Sequence, residues 1–292
     1  MNSLAVGLVV LSALVHAVRN LLTKKAEDKQ VFVWLYELIA LLLYLPFFLY
    51  FLHSEGMRIP DAFYPGIASG FVHFLYWLFL SKSYEEGDLS RVYPIMRSSP
   101  ALVLFFSVFV LGEEVSIVGI LGILAVVTGL LTINMQEMSL SFLLPAINSI
   151  VEDESTRYAF FTLSTVTAYS IIDKWGVDLA HPVIHHYLLM FFGFSFFTPY
   201  ILHVKHSSLI VTEWKKSRNI IVANSFFVVL SYSLILISFT MERVSYIVGL
   251  RQLSVVFGVL LGSYVLREEK RLTRFSAATL IFLGAFLIAT AD

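Results

Sequence analysis

Long uncharged stretches alternate with short polar ones along this chain. About 20 consecutive apolar residues allow an α-helix to cross the roughly 30 Å hydrocarbon core of a bilayer. Stretches of this kind predict an all-α integral membrane protein with ten transmembrane helices. The predicted segments are 3–22, 32–52, 63–83, 91–111, 115–134, 157–177, 183–203, 218–240, 244–266 and 272–290.

The composition agrees with a membrane location and narrows the possible chemistry. Of the 292 residues, 58% are hydrophobic and 14% are charged, whereas apolar residues make up about half of a soluble domain. The chain has no cysteine, so disulfides and thiolate metal sites are excluded. No spacing of potential ligands suggests a metal or another cofactor. A net charge of −1 without a basic stripe predicts no nucleic-acid partner.

Basic residues are distributed unequally between the two sets of predicted loops. The side with three of them has Arg58, Lys174 and Arg243. The other side has fourteen: Lys24, Lys25, Lys29, Lys82, Arg91, Arg157, Lys205, Lys215, Lys216, Arg218, Arg267, Lys270, Arg271 and Arg274. Since cytoplasmic loops carry the excess of Lys and Arg, we expect a multi-pass protein of the cytoplasmic membrane with both termini outside.

The two halves of the chain resemble each other after a shift of 155 residues. The shift places "VLGEE" (110–114) on "VLREE" (265–269) and Gly129 on Gly284. Earlier in each half, "HAVRNLLT" (16–23) matches "YSIIDKWG" (169–176) loosely. These similarities predict an internal repeat.

Each predicted repeat, 1–137 and 138–292, holds five helices. Because five is an odd number, the second copy must enter the membrane in the opposite orientation. Inverted repeats are typical of alternating-access transporters, whose substrate site lies near the bilayer midplane between the halves.

The closing motifs "LGEE…VVTGLLTI" and "LREE…FLGAFLI", together with the five-plus-five organisation, resemble the EamA-type transporters of the drug/metabolite transporter superfamily. This resemblance implies a central cavity between the halves and a small-metabolite substrate. Relatives that move nucleotide sugars or lipid-linked groups belong to the same superfamily.

Two arginines lie inside apolar segments at mirrored depths, Arg97 in "YPIMRSSP" and Arg251 in "IVGLRQLS". An unpaired arginine at the centre of a membrane helix costs about 2.5–3.5 kcal/mol on insertion scales. We therefore expect both to face a cavity and to bind an anionic group, although long side chains that reach the headgroups are an alternative. Pro94 and Gly249, about one turn earlier, should weaken these two helices.

Two internal carboxylates offer partners for these charges. By depth, Glu37 matches Arg19 and Arg97, while Asp173 matches Arg251. They are predicted to form inner and outer charge pairs that gate or couple transport; static structural ion pairing is the alternative.

Several further polar or aromatic residues are candidates for the site. His16, Arg19, Asn20 and Thr23 share one face of the first helix, and His16 is assigned with Arg19 to gating or coupling. Asn20, His73 and the aromatic residues are assigned to substrate binding; packing is the alternative role for His73 and for the aromatics. Those aromatic residues are Tyr93, Trp77 and Tyr232, the last two of which coincide under the 155-residue shift. His185 and His186 are predicted to be solvated at the outer interface.

These residues favour a secondary active transporter of a small polar metabolite, anionic or zwitterionic, that works by alternating access. Its partners would be the small-molecule substrate and the lipid bilayer, with proton coupling and a monomeric or homodimeric state left open. A flippase for a phosphate-bearing lipid is the alternative. An intramembrane enzyme is disfavoured because the acidic residues lie at different depths. The pairs Glu113–Glu114 and Glu268–Glu269 are predicted to stabilise the N-termini of the helices that follow them.

Overall fold

The computed structural model describes residues 1–23, 26–55, 59–86, 89–133, 153–265 and 272–292. Regular structure within these ranges is entirely α-helical. The helices are α1 (Ser3–Thr23), α2 (Lys29–Ser54), α3 (Ile59–Glu86), α4 (Leu89–Arg97), α5 (Ser99–Leu111), α6 (Ile117–Thr132), α7 (Glu154–Leu179), α8 (Pro182–Val204), α9 (Ser207–Phe239), α10 (Val244–Arg251), α11 (Leu253–Val265) and α12 (Leu272–Thr290). The pair Glu268–Glu269 lies outside the described residues.

In the described part of the chain, seven helical stretches are long and apolar enough to cross a membrane by length and composition. Two further apolar stretches, Ile95–Leu111 and Ile117–Thr132, are shorter. Large apolar side chains such as Phe109 and Leu42 are exposed on the outside of the bundle, as lipid-facing residues should be. The all-α membrane class is therefore confirmed, while the ten-span inverted arrangement stays a prediction.

Short polar residues set the helix boundaries. The Asp28 carboxylate accepts hydrogen bonds from the backbone N–H groups of Gln30 and Val31 at the start of α2, and the Asp153 carboxylate does the same for α7. Side-chain acceptors of this kind satisfy N–H groups that have no partner within the helix. At the end of α5, Gly112 adopts a left-handed conformation with φ of 68°, which glycine tolerates without steric cost.

Two of the predicted membrane helices are broken at corresponding positions. Segment 91–111 divides into α4 and α5 at Ser98, and segment 244–266 divides into α10 and α11 at Gln252. The Ser98 N–H donates to the Ile95 carbonyl at 3.1 Å, and the Gln252 N–H donates to the Gly249 carbonyl at 3.2 Å. Both breaks are thus tight turns with hydrogen bonds three residues apart, a geometry that often marks a hinge inside a helix.

Each break directly follows one of the two arginines. Arg97 ends α4 and Arg251 ends α10, so the breaks lie just after the arginines and not one turn before them, where Pro94 and Gly249 predict weakening. Proline removes a backbone donor from a helix, and glycine lowers helix propensity by about 1 kcal/mol relative to alanine. Pro100, at the start of α5, therefore gives a physical reason for the break at Ser98, and Gly249 weakens α10 just before the break at Gln252.

The two halves meet through close helix contacts between α6 and α12. A Cβ added to Gly122 would lie 2.8 Å from the Gly284 carbonyl oxygen, and one added to Gly129 would lie 2.9 Å from the Ala277 carbonyl oxygen. Small residues let membrane helices approach this closely. The 155-residue shift exchanges these two contacts, since it moves Gly122 to Ala277 and Gly129 to Gly284.

Other contacts between the halves also occur in exchangeable pairs. Helix α1 packs on α9 while α3 packs on α7, and α1 packs on α10 and α11 while α4 and α5 pack on α7. This arrangement brings α1, α3, α7 and α9 together with the two broken helices around one central region.

Glu113 stabilises a different helix from the one predicted. Its carboxylate accepts from the Val244 N–H at 2.5 Å and from the Ser245 Oγ at 2.6 Å, at the start of α10. The following helix, α6, is capped instead by Ser116, whose Oγ accepts from the Gly119 N–H. The prediction that Glu113 serves its own following helix is therefore wrong, because tertiary packing brings the start of α10 within its reach.

Candidate functional site

A fully buried carboxylate organises the outer part of the central region. Asp173, in α7, has an exposed fraction of 0%. It accepts hydrogen bonds from the Ser69 Oγ of α3 at 2.5 Å, from the His185 Nε2 of α8 at 2.9 Å and from the Tyr232 hydroxyl of α9. Three donors from three helices suit a carboxylate that is ionised, because each buried oxygen then has a partner.

The sequence around Asp173 makes room for this arrangement. Tyr169, Asp173 and Gly176 are spaced i, i+4 and i+7, so they share one face of α7. A Cβ on Gly176 would lie 2.2 Å from the Nδ1 and Cε1 atoms of His185. Only a glycine at this position lets the imidazole reach Asp173.

His185 and His186 are not solvated, contrary to the prediction. Their exposed fractions are 0% and 1%. The His186 Nδ1 lies 2.9 Å from the Ser233 Oγ, which also lies 2.9 Å from the Tyr44 hydroxyl of α2. Both histidines are buried because α8 packs against α2, α3 and α9, which sequence position near a helix end does not reveal.

His73 lies beside the Asp173 cluster. Its Nδ1 lies 2.9 Å from the Ser69 carbonyl oxygen, and since a carbonyl only accepts, Nδ1 carries a proton. The imidazole stacks on Tyr169 with ring centroids 4.2 Å apart and meets the Tyr232 ring edge-on at 5.6 Å. His73 thus belongs to the central region through hydrogen bonding and ring packing.

The two arginines at the helix breaks converge on the same region. The Arg97 guanidinium lies 5.3 Å from the centroid of the Tyr93 ring, and the Arg251 guanidinium lies 5.2 Å from that of Tyr232. Both charges also lie close enough to Tyr169 to interact with it electrostatically. The structure therefore brings together four predicted site residues, namely Arg97, Arg251, Tyr93 and Tyr232.

A third arginine and a second carboxylate lie next to this pair. Arg19, Arg97 and Arg251 all interact electrostatically with the buried His16. Arg19 also interacts with Glu37, whose exposed fraction is 4%. The half-buried Asn20 adjoins Arg19 in α1.

Asp173 pairs with His185 in this conformation rather than with Arg251. Tyr232 stands between them, since its hydroxyl donates to Asp173 while its ring lies under the Arg251 guanidinium. The connection between this acid and this arginine is therefore indirect.

Trp77 lies apart from the other candidates. It packs on Phe197 of α8 with ring centroids 5.2 Å apart and approaches Gly193. His73 and Tyr76 of the same helix contact Tyr169 instead. These contacts agree with the packing role given above as the alternative, and the substrate-binding role of Trp77 stays a prediction.

Three buried polar atoms around the arginines have no hydrogen-bond partner within the described residues. They are the His16 Nδ1, the Glu37 Oε2 and the Gln252 Oε1. Buried polar atoms are nearly always paired in folded proteins, so a bound solute with donor and acceptor groups would complete this region. Within the same described residues, no cluster of three or more His, Asp or Glu side chains could hold a metal ion.

Comparison with known proteins identifies the first half of the chain. Residues 3–135 match the EamA-like transporter family. The match confirms the resemblance and is consistent with the drug/metabolite transporter superfamily; it indicates a multi-pass membrane transporter acting on a small molecule. Members of this family are transporters rather than enzymes.

Further comparisons concern the fold and the curated sequences. A protein of known crystal structure is 15% identical to this chain and superposes with a TM-score of 0.68, covering 98% of this chain and 96% of its own. At this identity the likeness shows the fold alone. No curated protein matches the sequence.

Sequence reasoning missed Ser69, His185 and Gln252. A serine in an apolar helix carries no positional signal, because its hydroxyl often bonds to its own backbone. The signal for His185 was Gly176, which follows Asp173 on the same face of α7 and leaves space for a ring.

Proposed function

We propose that this protein is a secondary active transporter that moves a small polar metabolite, anionic or zwitterionic, across the cytoplasmic membrane by alternating access. The observation that carries the proposal is the pair of helix breaks, each preceded by an arginine, with both guanidinium groups near Tyr169. Discontinuous helices that meet near the midplane form the substrate and ion sites of many transporters.

The charges around the breaks favour an anionic group on the substrate. Arg97 and Arg251 would bind it from the two halves, in the same register. The unpartnered oxygens of Glu37 and Gln252 accept hydrogen bonds and suit an amino or hydroxyl group. Tyr93, Tyr232, His73 and Asn20 would complete the walls.

An inverted repeat of residues 1–137 and 138–292, with both termini outside, would supply the two alternating conformations. The exchanged glycine contacts between α6 and α12 and the matching hydrogen bonds at the two breaks support it. Glu37 with Arg19 and Arg97 near the inner side, and Asp173 with Arg251 further out, would act as gates, and His16 would take part through the arginines around it. The chain carries no nucleotide-binding motif, so a solute or ion gradient would drive transport.

The test uses the full-length protein in proteoliposomes. Labelled succinate, inorganic phosphate, glutamate, alanine and mannitol serve as probes in counterflow assays. Exchange of at least one anionic or zwitterionic probe, without exchange of mannitol, is expected. Hydrogen bonds to charged groups contribute about 1.5–3 kcal/mol, so Arg97→Ala and Arg251→Ala should each weaken apparent affinity about tenfold or more.

Arg218→Ala is the matched control, because Arg218 is exposed on α9 and should not affect affinity. Unchanged affinity in both Arg97→Ala and Arg251→Ala would overturn the site assignment. Movement of a fluorescent phospholipid between leaflets, without counterflow of any small probe, would favour a flippase instead.

A further inference from the structure

We infer that His185 and Asp173 form a proton-binding site that couples proton uptake to anion binding at Arg251, which makes the transporter a proton–anion symporter. This inference rests on the proposed transport function and adds the driving ion. It is drawn from the hydrogen-bond geometry of the Asp173 cluster, because helix packing alone would not need ionisable residues there.

The position that receives the proton is the Nδ1 atom of His185. The ring's Nε2 faces the Asp173 carboxylate at 2.9 Å, and a carboxylate that already has donors from Ser69 and Tyr232 accepts a third from Nε2–H. The neutral ring then has its lone pair on Nδ1. This atom is buried, has no hydrogen-bond partner within the described residues and faces Gly176. Proton uptake forms an N–H bond there and changes the charge of the pair from −1 to 0.

Several helices that pack on α7 or α8 supply titratable or charged groups around the pair, and α5 supplies none. His73, Tyr169, His186 and Tyr232 lie in or beside the cluster, and Tyr76, Tyr44 and Arg251 contact these rings in turn. Arg97 of α4 lies over the Tyr93 ring. Lys174 pairs with Asp178 on the more exposed side of α7. Arginine is the permanent cation among these groups. The electrostatic attraction between Asp173 and Arg251 therefore depends on whether His185 is protonated.

Tyr232 connects the proton site to the anion site. Its hydroxyl donates to Asp173, and its ring lies 5.2 Å from the Arg251 guanidinium. When His185 is neutral, the negative charge of Asp173 attracts Arg251 across this ring. When His185 is protonated, the imidazolium balances Asp173, and Arg251 is free to bind an external anion. Proton and anion binding therefore reinforce each other, and by linkage the effect is reciprocal.

A substrate-free experiment tests the proton site. The full-length protein, with ¹⁵N-labelled histidine, is titrated in lipid nanodiscs from about pH 5 to 9 and followed by NMR; the protein has eight histidines, and the His185 signal is the one lost in His185→Asn. We expect the His185 ring to carry a second proton at the acid end of this range and to be neutral at the alkaline end. The midpoint should change in Arg251→Ala and in Tyr232→Phe, but not in Arg218→Ala.

A His185 ring that keeps one protonation state across this range overturns the inference. A midpoint that is the same in Arg251→Ala as in the native protein overturns the coupling. Either result leaves the proposed transport function intact, because counterflow of a probe does not require proton coupling.

A transport experiment tests the coupling directly. The succinate, phosphate and glutamate probes are offered to vesicles with an acidic exterior, and accumulation is compared with counterflow at equal pH. The native protein should accumulate the exchanged anion. Its apparent affinity for that anion should be at least about fivefold tighter at acidic pH, since coupled sites typically change each other's affinity by about fivefold or more.

His185→Asn should lose acid-driven accumulation, while His186→Asn, a buried neighbour that bonds to Ser233, should keep it. Counterflow without any response of the native protein to the pH gradient would refute symport. Absence of counterflow for every probe would refute the proposed function, while the NMR titration would still decide whether the proton site exists.

Discussion

Replacing Gly176 by alanine tests how the Asp173 site is built. The added Cβ would lie 2.2 Å from two ring atoms of His185, much closer than any real contact. The ring is held by its 2.9 Å hydrogen bond to Asp173, so it cannot turn away without breaking that bond. The Gly176→Ala protein must either distort α7 or expel the imidazole.

The expected cost follows from these two effects. Overpacking a buried site typically costs about 1–3 kcal/mol, and leaving a buried polar group without its partner costs a further 1–3 kcal/mol or so. Alanine in a helix offsets about 1 kcal/mol of this. A net loss of about 1–5 kcal/mol in the free energy of unfolding is therefore expected. In a His185→Ala background the obstacle is gone, and the same change should be neutral or stabilising by up to about 1 kcal/mol.

The assay is a double-mutant cycle on reversible unfolding in lipid–detergent mixtures, with native, single-variant and double-variant proteins. Gly258→Ala is the control, since nothing lies within 4 Å of a Cβ at that helical position, and it should show no loss. The reasoning fails if Gly176→Ala destabilises the protein equally with and without the His185 ring.

Three other predictions concern parts of the molecule that act separately. Glu113→Ala should lower stability by about 0.5–2 kcal/mol, the usual effect of losing a helix cap, whereas the exposed Glu114→Ala should change the unfolding midpoint little; equal effects would contradict the cap on α10. Gly284→Ala should destabilise more than Gly258→Ala, because its Cβ would lie 2.6 Å from a backbone carbonyl of α6; thermal unfolding of the two variants decides this. Glu37→Gln or Asp173→Asn should slow counterflow of the exchanged probe, and native rates in both would exclude gating by these carboxylates.

The helices could be predicted from sequence because their causes are local. Uncharged runs of sufficient length predict membrane segments, and Asp28, Asp153 and Gly112 mark boundaries through their own backbone geometry. The breaks at Ser98 and Gln252 lie about one turn beyond Pro94 and Gly249, where the sequence predicts weakened helices. What local sequence could not predict was the helix that Glu113 caps, since the partner lies 131 residues away.

The candidate site also contains both residues that the sequence predicts and residues that it does not. Arg97 and Arg251 stand out in sequence because a charge in an apolar run is costly without a partner. His185 does not, because a histidine three residues into a helix at the predicted interface is expected to contact water. Its burial depends on α2, α3 and α9 packing around α8. Residues whose role depends on neighbouring helices need tertiary structure to be recognised.

The two halves repeat the arginine at the helix break but not the buried carboxylate of Asp173. The looser match of "HAVRNLLT" with "YSIIDKWG" places Asn20 opposite Asp173, so a neutral amide stands in one half where a carboxylate stands in the other. In the proposed cycle, arginines supplied by both halves remain available as the site opens to either side. A proton bound in one half would cross the membrane with the anion only if the site opens to each side in turn. Because proton and anion would then move together, the pH gradient would set the direction of net transport.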